Sequence, residues 1–421
     1  MSITKFTQAV QTKLWQFTNS LKTDFSKPEH KFIHQSLFGI LKGGHVQINT
    51  IGRSLQEKIS TKKVAKRLSY HLVKENMADK INRSTVKVQR HRLSSCRYLI
   101  FDNSDIVKKY ARKMEGLDRV RDGSKHEISI GYWLCNVSAV NEDGSMIIPL
   151  YSQLYSHRKE SIGENGQILK AIEQVMEYAP KELIWVMDRG MDRNILYDAL
   201  DDRGYNYLIR QTGNRNLILN GKEMPLRQIS RKVKLKWEYK LIRIHKSKRR
   251  EIYFKAGAVK VKRPGRSKEL WLVVVKYQRG GYSWYLLSKA DCISEYDAVG
   301  TVFEGYPLRW KIEELHRQIK QDYNLESIRL QRYEALKTMN ALLWMALSFL
   351  YTRLESLALD IIFEPELGLV NRKRLGDLLR FVYYKLALAV KRILALARVY
   401  YPPRRINSNN GQLVIPFEEW W

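Results

Sequence analysis

Leu183 to Met187 reads LIWVM, five apolar residues in succession with Asp188 directly behind them. Such a run reads as a strand covered on both faces, which requires layers of structure on either side of its sheet. Earlier segments support this. Tyr98 to Asp102, Gly131 to Val140 and Met146 to Leu154 read as strands, separated by turn-forming stretches such as Asn141-Glu142-Asp143-Gly144. A helical stretch from Gly163 to Tyr178 is ended by Pro180. Three strands, a helix and a buried strand in that order predict an α/β core.

Residues 1–95 have a different texture, helical and basic, with turn signals at Lys27-Pro28, Gly43-Gly44 and Ser60-Thr61. We expect an all-helical domain there. Within it, INTIGRSLQEKISTKKVAKRLSYHL predicts two helices broken near Ile59 to Thr61, the second capped by Ser60 or Thr61. Lys62, Lys63, Lys66 and Arg67 on the second helix would suit a helix-turn-helix entering a DNA groove. A helical hairpin with a solvated basic face is the plainer alternative. From Tyr207 to about residue 290 strands dominate: Leu241 to Ile244, Ile252 to Ala256, Leu270 to Tyr277 and Tyr282 to Leu287. The last two flank Arg279-Gly280-Gly281, a good hairpin turn. This block carries Lys246, Lys248, Arg249 and Arg250 and separates the last core strand from the helices beyond, so it reads as a basic insertion. After Tyr306 the pattern is helical again, with Leu342 to Leu350 apolar on nearly all sides and Leu386 to Val399 amphipathic.

Composition narrows the partners. Lys plus Arg outnumber Asp plus Glu by 74 to 43 in 421 residues, a net charge of +31 that calls for a polyanion. Nucleic acid is the first candidate and an acidic membrane surface the lesser one. The longest nearly apolar run, Met339 to Tyr351, is too short to span a bilayer and contains Asn340. The N-terminal MSITKFTQAVQTKLWQF lacks the apolar core of a signal peptide, so a cytoplasmic protein is expected. Cys96, Cys135 and Cys292 are scattered, indicating neither a disulfide framework nor a structural zinc site.

Gly305 to Lys320 reads GYPLRWKIEELHRQIK, with Tyr306, Arg309, Glu313 and Lys320 at offsets of 0, 3, 7 and 14. On one helix starting near Tyr306, with Pro307 in its first turn, these fall within an arc of roughly 60° along about 21 Å. Such spacing often marks no more than a solvated face, and Glu314, a rival to Glu313, lies about 100° away around the helix. Two acids in the core raise the stakes. Asp102 ends its predicted strand on the face of Tyr98 and Ile100, and Asp188 follows LIWVM. Each would also serve as a turn or capping aspartate, and Asp105 is a rival to Asp102. Two aspartates and a glutamate make the oxygen-rich site that Mg²⁺ or Mn²⁺ prefers. Two ions about 3.5 to 4 Å apart suit in-line phosphoryl transfer. Tyr306, Arg309 and Lys320 would then hold phosphates.

With FDNSD around Asp102, VMDRG around Asp188 and Tyr-x-x-Arg-x-x-x-Glu-(six residues)-Lys from Tyr306 to Lys320, the chain resembles the DDE transposases of the insertion-sequence-four type over about residues 95–350. The resemblance implies an RNase H-like catalytic core interrupted by a β-rich insertion, with helical domains at both ends. It divides the chain into a DNA-binding domain at 1–95, core at 96–206, insertion at 207–290, core with the signature helix at 291–355, and a helical region for DNA contact or dimerisation at 356–421. It further implies metals on Asp102, Asp188 and Glu313, with Tyr306, Arg309 and Lys320 on the phosphates of the transposon end. The implied reaction is cut-and-paste: cleavage at terminal inverted repeats through hairpins, then 3′-hydroxyl joining to target DNA by a homodimer in a prokaryotic nucleoid. Trp284 or Tyr285 would stack on a base pulled from the helix, an ordinary core aromatic being the alternative. Two other functions remain open, a nuclease with the same core and a domesticated, non-catalytic DNA-binding protein. The second usually lacks an acidic ligand, and all three are present.

Overall fold

A computed structural model describes residues 2–122, 127–245, 248–278, 280–364, 367 and 382–402. Five helices come first: α1 (Ile3–Asn19), α2 (Lys27–Gly43), α3 (Ile48–Ser54), α4 (Thr61–Leu72) and α5 (Met77–Leu93). Then follow β1 (Tyr98–Val107), β2 (Asp118–Asp122), β3 (Glu127–Val140), β4 (Ile147–Tyr155), α6 (Glu164–Met176), β5 (Ile184–Met187), α7 (Asn194–Asp202) and β6 (Asn206–Arg210). The strand-rich block adds β7 (Asn216–Leu219), β8 (Lys222–Pro225), α8 (Leu226–Lys232), β9 (Trp237–His245), β10 (Lys248–Lys262), β11 (Glu269–Tyr277) and β12 (Tyr282–Ser288). The chain continues through α9 (Glu295–Gly305), α10 (Trp310–Gln321), α11 (Tyr333–Arg353), α12 (Ala358–Ile362) and α13 (Val382–Ile393).

One large mixed sheet joins all the described strands. β1 lies in its middle, antiparallel to β3 and parallel to β5, which is in turn parallel to β6. β3 is long enough to pair with β2 along its first part and with β4 along its second. The sheet does not stop at the core: β12 runs antiparallel to β6 and leads on through β11 and β10 to β9 and the β7–β8 pair.

Helices cover both faces. Trp185 and Met187 of β5 enter an apolar cluster with Ile168, Ala171 and Ile172 of α6 and Leu196 and Leu200 of α7. Ile184 and Val186, on the opposite face, pack with Ala298, Val299 and Val302 of α9. That is the two-sided burial expected of LIWVM. The N-terminal helices share a third cluster with α10, α11 and α13, and α11 is buried along nearly its whole length. The apolar run at Met339–Tyr351 is therefore an interior helix. Among the described residues no single helix is long and apolar enough to cross a membrane.

Several boundaries differ from expectation. β1 continues five residues past Asp102, because β3 supplies backbone partners as far as Val107 opposite Gly131. Position 207, the expected start of the insertion, lies inside β6, where Tyr207 pairs with Trp185, and that strand runs on to Arg210. The break between α3 and α4 runs over residues 55–60, wider than Ile59 to Thr61, and Ser60 is the N-cap. Gly280 and Gly281 adopt positive φ, as the β11–β12 turn requires. Arg279, Lys246, the side chains of Lys248, Arg249 and Arg250, and residues 403–421 of the C-terminal region lie outside the described residues.

Candidate active site

The helix expected to begin near Tyr306 is instead a kinked continuation of α9. Ser294 and Asp297 form a capping box at the start of α9, which runs to Gly305 and passes into a 3₁₀ turn at Tyr306–Arg309 before α10 begins. Pro307 has no N–H to extend the α-helical ladder, which accounts for the change of winding. With three residues per turn, Tyr306 and Arg309 fall one above the other. Gly305 fixes where this turn sits, since a Cβ there would come 2.5 Å from Tyr98 Cε1. Only glycine lets the backbone pass so close to β1.

The turn thereby meets the strand ends. β1 and β5 pair through Phe101 and Met187, so Asp102 and Asp188, the next residues, lie side by side. Tyr306 Oη donates to Asp188 Oδ1 at 2.9 Å. Arg309 reaches two carboxylates, donating through Nη1 to Asp102 Oδ2 at 3.1 Å and through Nη2 to Glu313 Oε1 at 2.6 Å. Its side chain is only 9% exposed, so both ion pairs are largely withdrawn from water. Lys320, about 10 Å further along α10, faces Asp105 Oδ2 at 3.4 Å and Glu326 Oε1 at 3.5 Å. Asp105 belongs to β1 and is buried, paired with Lys320 rather than with the other acids.

The electrostatics follow from this crowding. Burial pushes Asp102 up to about 7, Arg309 opposes the shift, and Glu313 and Asp188 add to it. For Arg309, burial weakens the charge, but Asp102, Tyr306, Glu313 and Asp188 together more than offset it and hold the guanidinium protonated. Burial, aided by Asp188, lifts the Tyr306 phenol to about 12, so it stays a hydrogen-bond donor.

Residues 161–349 match the family model of the transposase DDE domain. That stretch, less than half of the chain, is similar to a transposase DDE domain. Asp188, Tyr306, Arg309, Glu313 and Lys320 fall inside the matched span and Asp102 lies before it. No curated protein matches the sequence. Among solved structures the chain is similar to a piggyBac transposase synaptic complex with hairpin DNA, at 12% identity and a TM-score of 0.39, over 91% of this chain and 78% of that one. A likeness that loose carries no argument about function.

Asp102, Asp188 and Glu313 offer only hard oxygen donors, the chemistry suited to Mg²⁺ or Mn²⁺. Asp102 is costly to bury without a cation beside it, and Arg309 supplies that charge. Among the described residues no three acidic, His or Cys side chains converge to hold a metal ion in this arrangement.

Other predicted contacts divide. Lys62, Lys63 and Lys66 are exposed on α4, and Tyr70, at 66% exposure, stands with them. Arg67 does not belong to that face: it grips Glu57 at 2.6 and 2.8 Å and Gln35 at 3.0 Å, bracing α4 against α2. Trp284 packs against the cluster of α6 and α7, stacked on Tyr282, on the face of β12 away from Tyr306. Tyr285 takes the other face and meets Tyr306 edge-on with ring centroids 4.8 Å apart. Strand alternation puts the two on opposite faces.

Sequence reasoning missed Arg210. Its charge is held by Tyr306, Tyr285 and Asp188 against the opposing effect of burial. The signal was the same as for Asp188, a charge closing the apolar strand NYLIR. Also missed was His316, whose ring nitrogen lies 2.8 Å from Asn136 Nδ2 and whose burial depresses its pKa to about 3.

Proposed function

We propose that this protein is a DNA transposase of the insertion-sequence-four type with an RNase H-like core. The observation that carries this is the convergence, on one turn, of Tyr306 with Asp188 and of Arg309 with Asp102 and Glu313. The strand order β4-β3-β1-β5-β6, antiparallel on one side of β1 and parallel on the other, supports the core assignment.

In this reading Asp102, Asp188 and Glu313 hold Mg²⁺ or Mn²⁺, two ions per site. When bound, the ions would activate the attacking water or 3′-hydroxyl and stabilise the leaving oxygen. The chain's own residues do the positioning. Arg309 passes from its carboxylates to a DNA phosphate, a planar donor well matched to two phosphate oxygens. Tyr306 orients the Asp188 carboxylate through its hydroxyl, and Lys320 holds the backbone further along. The exposed lysines of α4 bind flanking duplex. A hairpin intermediate, strand transfer to a target, synapsis as a homodimer and a nucleoid location complete the proposal.

The test is incubation of wild-type and Glu313→Gln protein with Mg²⁺ and the DNA flanking the gene, followed on denaturing gels. Hairpins and joined products from wild type alone support the transposase. Hydrolysis without joining replaces it with a nuclease. Specific binding without cleavage replaces it with a non-catalytic binder. Asp102→Asn and Asp188→Asn should likewise abolish cleavage while sparing DNA binding.

A further inference from the structure

Beyond the acids, β1 ends in a cleft of about 980 Å³. Its walls are the segment Val107 to Met114 on one side and residues from Lys320 to Gln331 on the other. Lys108 ties the walls together by donating to the backbone carbonyls of Glu326 at 2.7 Å and Ile328 at 2.6 Å. Lys320 satisfies the carboxylate of Glu326, the acid in the lining. Four further cations, Lys109, Arg112, Lys113 and Arg329, line the cleft with no ion-pair partner among the described residues. Tyr110 stands among them, 88% exposed, with the Lys109 ammonium 5.8 Å from its ring centroid.

Unpaired positive charge interleaved with an exposed aromatic is the chemistry of single-strand recognition, in which cations follow phosphates and the ring takes a base face. Duplex DNA keeps its bases stacked inside and offers Tyr110 nothing to stack on. The cleft and the acids share two elements, since Lys320 in its lining lies on α10 with Glu313 and Val107 ends the strand that carries Asp102. Along α10, Glu313 and Lys320 are separated by about 10 Å, close to three base steps at about 3.4 Å each.

We propose that this cleft is a single-strand subsite: it holds an unpaired DNA strand about three nucleotides from the phosphate at Asp102, Asp188 and Glu313. Tyr110 stacks on a base, and Lys109, Arg112, Lys113 and Arg329 bind its phosphates. The placement relative to the scissile phosphate rests on the transposase reading, whereas the preference for single strands does not.

The test measures fluorescence anisotropy of labelled oligothymidine and of a blunt mixed-sequence duplex with the full chain in EDTA, where no cleavage intervenes. Tyr110→Ala should weaken oligothymidine binding by about 5- to 150-fold, the equivalent of one stacked base, and leave duplex binding within about two-fold. The Arg112→Ala/Lys113→Ala double variant should lower the salt slope for oligothymidine by about 1.4. Unchanged oligothymidine affinity in Tyr110→Ala, or an equal loss on duplex, overturns the subsite. Glu313→Gln, assayed alongside for cleavage in Mg²⁺, separates the two readings: loss of the Tyr110 effect with cleavage intact removes only the cleft, and the converse removes only the catalytic assignment.

Discussion

Arg309 is the residue on which the acid site depends. It is nearly buried, donates to Asp102 and Glu313, and stands beside Asp188 through Tyr306. Removing one partner of a buried ion pair leaves an uncompensated charge and costs about 3 to 5 kcal/mol. Arg309→Gln should therefore lower the urea midpoint in EDTA. Mg²⁺ should restore more of that loss in the variant than it adds to wild type, because the cation replaces the missing charge. Equal Mg²⁺ responses in the two proteins would show that the three carboxylates do not share a cation. At this scale the sequence was partly legible. Asp188 and Glu313 announce themselves, one closing an apolar run and the other lying in a spaced set of charges. That Asp102 meets Arg309 while Asp105 meets Lys320, and that Tyr285 rather than Trp284 faces Tyr306, was not legible in the sequence.

α10 must present Glu313 and Lys320 at fixed places, and a buried polar network holds it. His316 meets Asn136 of β3, which accepts from Ser152 of β4 at 2.6 Å; Asn340 of α11 and Asn82 of α5 donate to the same Ser152. His316 ties the site helix to β3, and the other contacts fix β3 and β4 to α11 and α5. His316 is held neutral because burial depresses its pKa to about 3, with Lys320 and Arg309 adding to the effect. A histidine depressed in the folded state binds its proton first in the unfolded chain. Stability is therefore lost as pH falls below the usual 6.5, by about 1.4 kcal/mol per unit, until the folded pKa is reached. His34, depressed by burial to about 4, acts in the same direction. In urea titrations at pH 6 and pH 4.5, His316→Gln should show a smaller loss than wild type; an unchanged difference would mean that the ring is protonated in the fold. This element was legible as a helix. Its 3₁₀ entry was not, because the α9 that precedes it carries no strong periodicity and the kink arises from Pro307 and the close approach at Gly305.

Across the whole molecule the net charge of +31 is not evenly spent. Many basic side chains are taken up in ion pairs, such as Arg263 with Asp198 and Asp201 or Lys87 with Asp24. Lys62, Lys63 and Lys66 of α4 and the four cations of the cleft beyond β1 have no ion-pair partner among the described residues. If six to ten phosphates are bound, duplex affinity should fall by about 10³- to 10⁵-fold between 50 and 200 mM salt. A flat response in a filter-binding series would remove the polyanion reading. The sequence by itself determined the α/β class, through an apolar run that only a covered strand can use, and it pointed to a polyanionic partner through its charge excess. It also marked the acids, because a carboxylate closing an apolar strand is costly without a cation. Only the tertiary structure decided which charges meet. Register, strand face and a kink at one proline bring residues more than 200 positions apart within hydrogen-bond reach, and local pattern carries no information about such distances.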